Sequence, residues 1–68
     1  MKVTINGVTE EVAEGLSVAD AVKRAGHEGA AFGVAVALNG EVVPRSTWAD
    51  TSLSDSDLIE VLVAAQGG

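Results

Sequence analysis

The first six residues alternate, with Met1, Val3 and Ile5 on one side and Lys2, Thr4 and Asn6 on the other, which is the period-2 pattern of a half-buried strand. Asn6-Gly7 follows. This dipeptide best accepts positive φ at both central positions of a type I′ turn, so a second strand is predicted to return through Val8 to Val12. A two-residue turn sets Ile5 opposite Val8 and Val3 opposite Glu10. That register brings a carboxylate onto the apolar face, and either a β-bulge or an edge position relieves it.

The period then changes. Val18, Ala21, Val22 and Ala25 fall at i, i+3, i+4 and i+7, a single apolar helical stripe. Ser17 stands at the N-cap with Asp20 three residues on, a capping-box arrangement. Lys23 and Arg24 occupy the last turn, where cations favour the negative end of the helix dipole, and Gly26 suits the position just past the end. The run GHEGAAFG (26–33) has no period and reads as a loop. Val34, Val36 and Leu38 alternate with Ala35 and Ala37, predicting a third strand with one large face and one small face. Asn39-Gly40 signals a second hairpin, and Glu41 to Val43 supplies a short fourth strand that Pro44 confines to an edge or an end. Ser46 to Asp50 fits one helical turn capped by Ser46, Ser54 to Asp57 is a turn cluster, and Leu58 to Ala64 is the last strand.

Hairpin, helix, hairpin, short turn and strand make an α+β chain with one helix to cover one face of a mixed sheet of four to five strands. The first and last strands then pair as parallel neighbours in the middle, the β-grasp arrangement. Residues 1–64 read as a single β-grasp domain and 65–68 as a flexible C-terminal tail. In the last strand, Ile59, Val61 and Val63 have the parity expected to face the helix, because Asp57 at the same parity sits in the preceding turn and stays solvated. Leu58, Glu60 and Leu62 then point to the opposite face beside the small residues Thr4, Ala35 and Ala37. That predicts an exposed apolar patch, rimmed by acids, as the partner-binding surface.

Composition narrows the functional classes. The 68 residues hold 21 apolar side chains larger than alanine. Ordering the chain costs on the order of 100 kcal/mol, so nearly all 21 are needed for the core and a deep substrate pocket is not affordable. An autonomous enzyme is not expected. The formal charge of −6, from ten acidic and four basic residues, disfavours nucleic acid and anionic membranes and suits a basic protein partner. There is no cysteine, hence no thiolate nucleophile and no Cys-based metal site. The N-terminus lacks an apolar signal region and no run is long enough to span a membrane, so the chain reads as cytoplasmic.

Few side chains carry chemistry. His27, the single histidine, reads as a solvated loop residue, since nothing supplies an oxyanion site or elbow motif for a Ser-His pair. Asp55 and Asp57 are too few for a calcium loop and read as turn formers. The glycines of GHEGAAFG follow a helix and so lack the context of a phosphate loop. Trp48 reads as a core or rim packing residue. The tail differs. Ala65-Gln66-Gly67-Gly68 spans at most ~13 Å extended, and its two glycines leave the terminal carbonyl carbon unhindered for a narrow channel in a partner. The reactive group is the Gly68 α-carboxylate, a poor electrophile until activated, for instance by transfer to the α-phosphate of ATP.

A β-grasp order ending in Gly-Gly resembles the ubiquitin-like sulfur carriers. Within them, Val34 through Trp48, with its VPRSTW segment, and Ile59-Glu60-Val61 through the Gln66-Gly67-Gly68 end are similar to the ThiS family of thiamine-biosynthesis sulfur carriers. The usual acid-glycine-acid turn before the last strand is here Asp55-Ser56-Asp57. The resemblance implies a protein cosubstrate, not an enzyme. An adenylating enzyme of the ubiquitin-activating type, using ATP and Mg, adenylates Gly68, while Gln66 and Gly67 enter its active site. Sulfur, from cysteine through a desulfurase persulfide, displaces AMP to give a thiocarboxylate, and thiazole synthase takes that sulfur into the thiazole moiety of thiamine. The carrier itself binds no cofactor and no metal. The nearest rival is a molybdopterin-synthase small subunit, with the same fold and chemistry, against which the VPRSTW segment weighs. A plain β-grasp interaction module is the rival from another class.

Overall fold

The computed structural model describes residues 1–26 and 33–63; His27 and the tail residues Gln66, Gly67 and Gly68 lie outside them. Five strands and two helical segments follow in the order β1 (Lys2–Ile5), β2 (Val8–Glu11), α1 (Val18–Arg24), β3 (Val34–Leu38), β4 (Glu41–Val42), a 3₁₀ helix (Arg45–Asp50) and β5 (Leu58–Val63). The sheet order is β2-β1-β5-β3-β4. β1 and β5 are parallel neighbours at the centre, and the other pairings are antiparallel. Only β2 and β4 lie at edges, as the Pro44 stop after β4 requires.

Both hairpins turn on Asn-Gly. Asn6 and Gly7 have φ of +50° and +82°, and Asn39 and Gly40 have +50° and +87°, the positive pairs a type I′ turn demands. The resulting register sets Val3 opposite Glu10 and Ile5 opposite Val8 with no bulge. Glu10 therefore does lie on the helix side of the sheet. Its edge position lets the carboxylate reach Arg24 of α1, whose Nη1 donates to Oε1 at 3.0 Å. Both side chains are partly exposed, so the pair contributes under about 1 kcal/mol. Its role is to accommodate a charge that the register forces onto the apolar face.

The capping box of α1 is complete. The Asp20 amide donates to Ser17 Oγ at 3.1 Å and the Ser17 amide donates to Asp20 Oδ2 at 3.0 Å. The Ser17 backbone N–H, more than any charge, holds the Asp20 carboxyl below its ordinary pKa. Val18, Ala21 and Val22 are buried, and they meet Val3, Ile5, Val36, Ile59 and Val61 from the sheet in one core. The core residue Leu53 and the partly buried Leu16, which packs against the core, meet because residues 16–18 run antiparallel to 51–53. The Leu53 amide donates to the Leu16 carbonyl at 2.8 Å and the Val18 amide to that of Thr51 at 2.9 Å. No helix among the described residues is long and apolar enough to cross a membrane.

Two expectations need correction. The turn after β4 is a 3₁₀ helix whose N-cap is Pro44, not Ser46, and no side chain caps it. The hydroxyls that do bond back belong to Thr47, donating to the Pro44 carbonyl, and Thr51, donating to that of Thr47. Proline supplies the fixed entry φ, so a serine cap is not needed there. Val63, expected to face the helix with Ile59 and Val61, is 48% exposed. It has their parity but sits at the last position of β5, opposite Val34, where the sheet runs past its cover.

Candidate functional site

β5 presents two unlike faces. Ile59 and Val61 are buried on the helix side, while Leu58 and Leu62 are 56% and 58% exposed with the exposed Glu60 between them. The reason is economy of cover: α1 has seven residues and packs on one face only, leaving the other without a partner layer. The registers define the neighbours on that open face. Thr4 lies beside Leu58, Ala35 beside Leu62, and Ala37 beside Glu60. These small side chains leave both leucines prominent, as the sequence predicted. The patch has one member that the sequence reading missed. Val42, 77% exposed, lies opposite Ala37 and so extends the apolar strip to the sheet edge. Its signal was present: a two-residue Asn39-Gly40 turn forces Leu38 opposite Glu41 and hence Ala37 opposite Val42.

β5 is held at two points by the turn asparagines, which sequence reading assigned only to the turns. At the start, Asn39 Oδ1 accepts from the Leu58 amide at 2.9 Å, and Asn39 Nδ2 donates to Asp57 Oδ1 at 3.0 Å. Further along, Asn6 Oδ1 accepts from the Val61 amide at 2.7 Å and Nδ2 donates to the Val61 carbonyl at 3.2 Å. The strand that leads into residues 64–68 is thus pinned by two side chains as well as by two neighbouring strands.

The Asp55-Ser56-Asp57 turn sets the entry to β5. Asp55 Oδ1 accepts from the Lys2 amide at 2.7 Å, and this bond is the main reason its carboxyl sits below the ordinary pKa. Asp57 Oδ2 accepts from the Ser54 amide at 2.7 Å. Both carboxylates are therefore committed to backbone, and among the described residues no cluster of three acidic or histidine side chains could hold a metal ion. Ser56, between them, has φ of +71°, the left-handed region where the usual glycine is at ease. A non-glycine residue there costs about 1–2 kcal/mol, partly offset by the ~0.5–1 kcal/mol that glycine adds to unfolded-chain entropy. Ser56→Gly is therefore expected to stabilise the protein by about 0.5 kcal/mol, read as a higher urea midpoint at unchanged m-value. An unchanged or lower midpoint would show that the turn is unstrained.

Trp48 packs as expected, 7% exposed, with Nε1 donating to the Val43 carbonyl at 2.9 Å and the Arg45 guanidinium carbon 5.2 Å from the ring centroid. It lies on the covered side of the molecule, away from the open patch.

Comparison with known proteins agrees with this geometry. The model of the ThiS family matches residues 3–68. Among solved structures, a crystal structure of a thiamine biosynthesis protein (ThiS) from Geobacter metallireducens is 37% identical, with all of both chains covered and a TM-score of 0.77. A solution NMR structure of a thiamine biosynthesis protein from the same organism is 36% identical, covering all of this chain and 88% of that one, also with a TM-score of 0.77. No curated protein matches the chain.

Proposed function

The chain belongs to the ThiS family, and from that premise we propose that it is a sulfur carrier for thiamine biosynthesis, a protein cosubstrate whose C-terminal carboxylate is the working group. The observation that supports this reading most is the family match itself, which runs through Gly68 at the end of the segment following β5. In this reading a Gly68 carboxylate oxygen attacks the α-phosphorus of ATP, and pyrophosphate leaves. The terminal sulfur of a persulfide then attacks the acyl carbon and AMP leaves, giving an acyl disulfide, and a thiol reduces that disulfide to release the thiocarboxylate. ATP and Mg²⁺ are held by an adenylating partner of the ubiquitin-activating type, a cysteine desulfurase supplies the sulfur, and thiazole synthase consumes it. The carrier contributes three things: an activatable carboxylate, an unhindered Gln66-Gly67-Gly68 arm, and a surface that docks it. Fully extended, residues 64–68 reach roughly 17 Å beyond Val63, enough to enter a channel while the sheet stays outside.

Intact-protein mass spectrometry of material produced with its native neighbours tests the reading. The expected result is a population heavier by the difference between one sulfur and one oxygen, located on the C-terminal peptide. A stable absence of that species in thiamine-limited cells would favour the plain interaction module.

The docking surface is the open face of β5, Leu58, Glu60 and Leu62, joined by Val42. Apolar strips of this kind are where protein partners seat, and the net negative charge steers a basic partner toward them. Leu62→Asp separates surface from core. Because Leu62 is more than half exposed, the variant is expected to stay folded, losing under about 1 kcal/mol of stability. Binding to the adenylating enzyme, measured by calorimetry, is expected to weaken roughly 30-fold or more, the scale of an interface hot spot. Wild-type affinity in the folded variant would move the docking surface elsewhere.

A further inference from the structure

The pairing of β5 ends at different places on its two sides. On the β3 side the register continues to Val63, opposite Val34. On the β1 side the paired residues end at Ile5 and Ile59, because the chain leaves the sheet at Asn6-Gly7. The backbone groups that face β1 belong to alternate residues. The Asp57 carbonyl accepts from the Thr4 amide at 2.9 Å and the Ile59 carbonyl from the Asn6 amide at 2.9 Å. Val61 is next in that series, and no strand remains beside it. The carboxamide of Asn6 takes the place of one. A primary amide carries the same donor and acceptor as a peptide group, and here it accepts from the Val61 N–H and donates to the Val61 C=O. The same residue holds φ of +50° in the hairpin turn, a conformation asparagine tolerates. Asn6 thus closes one hairpin and extends the central parallel ladder by one step, 55 residues away along the chain.

We propose that Asn6 is a positioning residue, whose carboxamide clamps Val61 near the end of β5 and so helps set the point and direction from which residues 64–68 continue toward a partner's active site. The proposal rests on the carrier reading of the C-terminal segment. Without the carboxamide, the hold on the β1 side ends at Ile59, two residues earlier. The segment free to reorient on that side lengthens, and Leu62 of the docking face loosens together with it. A longer, less directed arm lowers the effective concentration of the carboxylate at a site the docked sheet already faces. That loss falls on binding and not on the chemical step, so it enters KM. Pairing to β3 persists, which limits the effect.

The protein contains its own control. Asn39 also grips β5, at Leu58, the end farther from the tail: its Oδ1 accepts from the Leu58 amide, and its backbone amide donates to the Leu58 carbonyl. Asn6→Gly and Asn39→Gly each keep a residue at ease with positive φ and each remove one carboxamide. Amide hydrogen exchange followed by NMR, corrected for each variant's global stability, is expected to show the Val61 amide about tenfold less protected in Asn6→Gly and unchanged in Asn39→Gly. In ATP–pyrophosphate exchange with the adenylating enzyme, the KM for the carrier is expected to rise about 5- to 10-fold in Asn6→Gly with kcat retained, and to stay within about twofold of wild type in Asn39→Gly. Unchanged Val61 protection overturns the clamp. Equal KM increases in the two variants, or a fall in kcat at constant KM, overturn the positioning role. Failure of the wild-type protein to support exchange overturns the carrier reading and the tail-positioning role with it, while Val61 protection still reports on the clamp.

Discussion

Adding one alanine after Gly68 is expected to abolish ATP–pyrophosphate exchange with the adenylating partner while leaving the fold intact. The carboxylate would move by ~3.3 Å, the length of one extended residue, and a Cβ would appear beside it. A reacting atom misplaced by about 1 Å already costs on the order of 100-fold, so the extended protein should fall at least that far below wild type. Folding should not notice. The last buried side chain on β5 among the described residues is Val61, and the core is closed by α1, the sheet, Trp48 and Leu53. Trp48 emission and the thermal midpoint therefore serve as the control. Exchange at the normal rate by the extended protein would show that the Gly68 carboxylate is not the reacting group.

The two Asn-Gly dipeptides explain why so much of the topology was legible. Each is a turn signal that also sets register, so the partners of Val3, Ile5, Ala37 and Leu38 follow by counting. The Ser17–Asp20 box marked the helix start for the same reason: its chemistry is local, between residues three positions apart. What escaped is what joins distant parts of the chain. The meeting of residues 16–18 with 51–53, the Glu10–Arg24 pair and the Asn6 clamp on Val61 all link segments whose local patterns carry no mark of each other. Asn6 is the sharpest case. Its backbone satisfies the turn rule completely, so nothing in the sequence asks for a second role for its side chain.

The open face was legible from parity, because a strand has period 2 and Asp57 had to stay solvated. Leu58 and Leu62 followed from that, and Val42 was within reach through the turn register. Val63 was misjudged because parity says which face a residue points to and not whether cover extends that far. The Ser46 cap failed in a related way: the residue type was suitable, but Pro44 begins the 3₁₀ helix two residues earlier.

Val22→Asp is expected to unfold the protein at room temperature. Val22 is 4% exposed and lies on the buried stripe of α1 with Val18 and Ala21, both 0% exposed. The substitution removes apolar burial of about 2 kcal/mol and brings in a carboxyl whose unpartnered burial costs roughly 2–7 kcal/mol more. A domain of this length has about 3–10 kcal/mol of stability, at ~0.05–0.15 kcal/mol per residue. Escape routes are poor. Lys23 and Arg24 sit on the exposed side of the helix, and Arg24 is engaged with Glu10. Val18 and Ala21 block the turn behind. Raising the pH should worsen the defect, since the aspartate is costlier buried as an anion than as an acid. The single tryptophan makes the measurement direct, because the buried Trp48 belongs to the same core. Its emission should shift to that of a solvated indole at 25 °C, with loss of the cooperative urea transition. A folded, cooperative Val22→Asp protein would mean that α1 does not press this stripe onto the sheet, and the open face of β5 would then have to be assigned again.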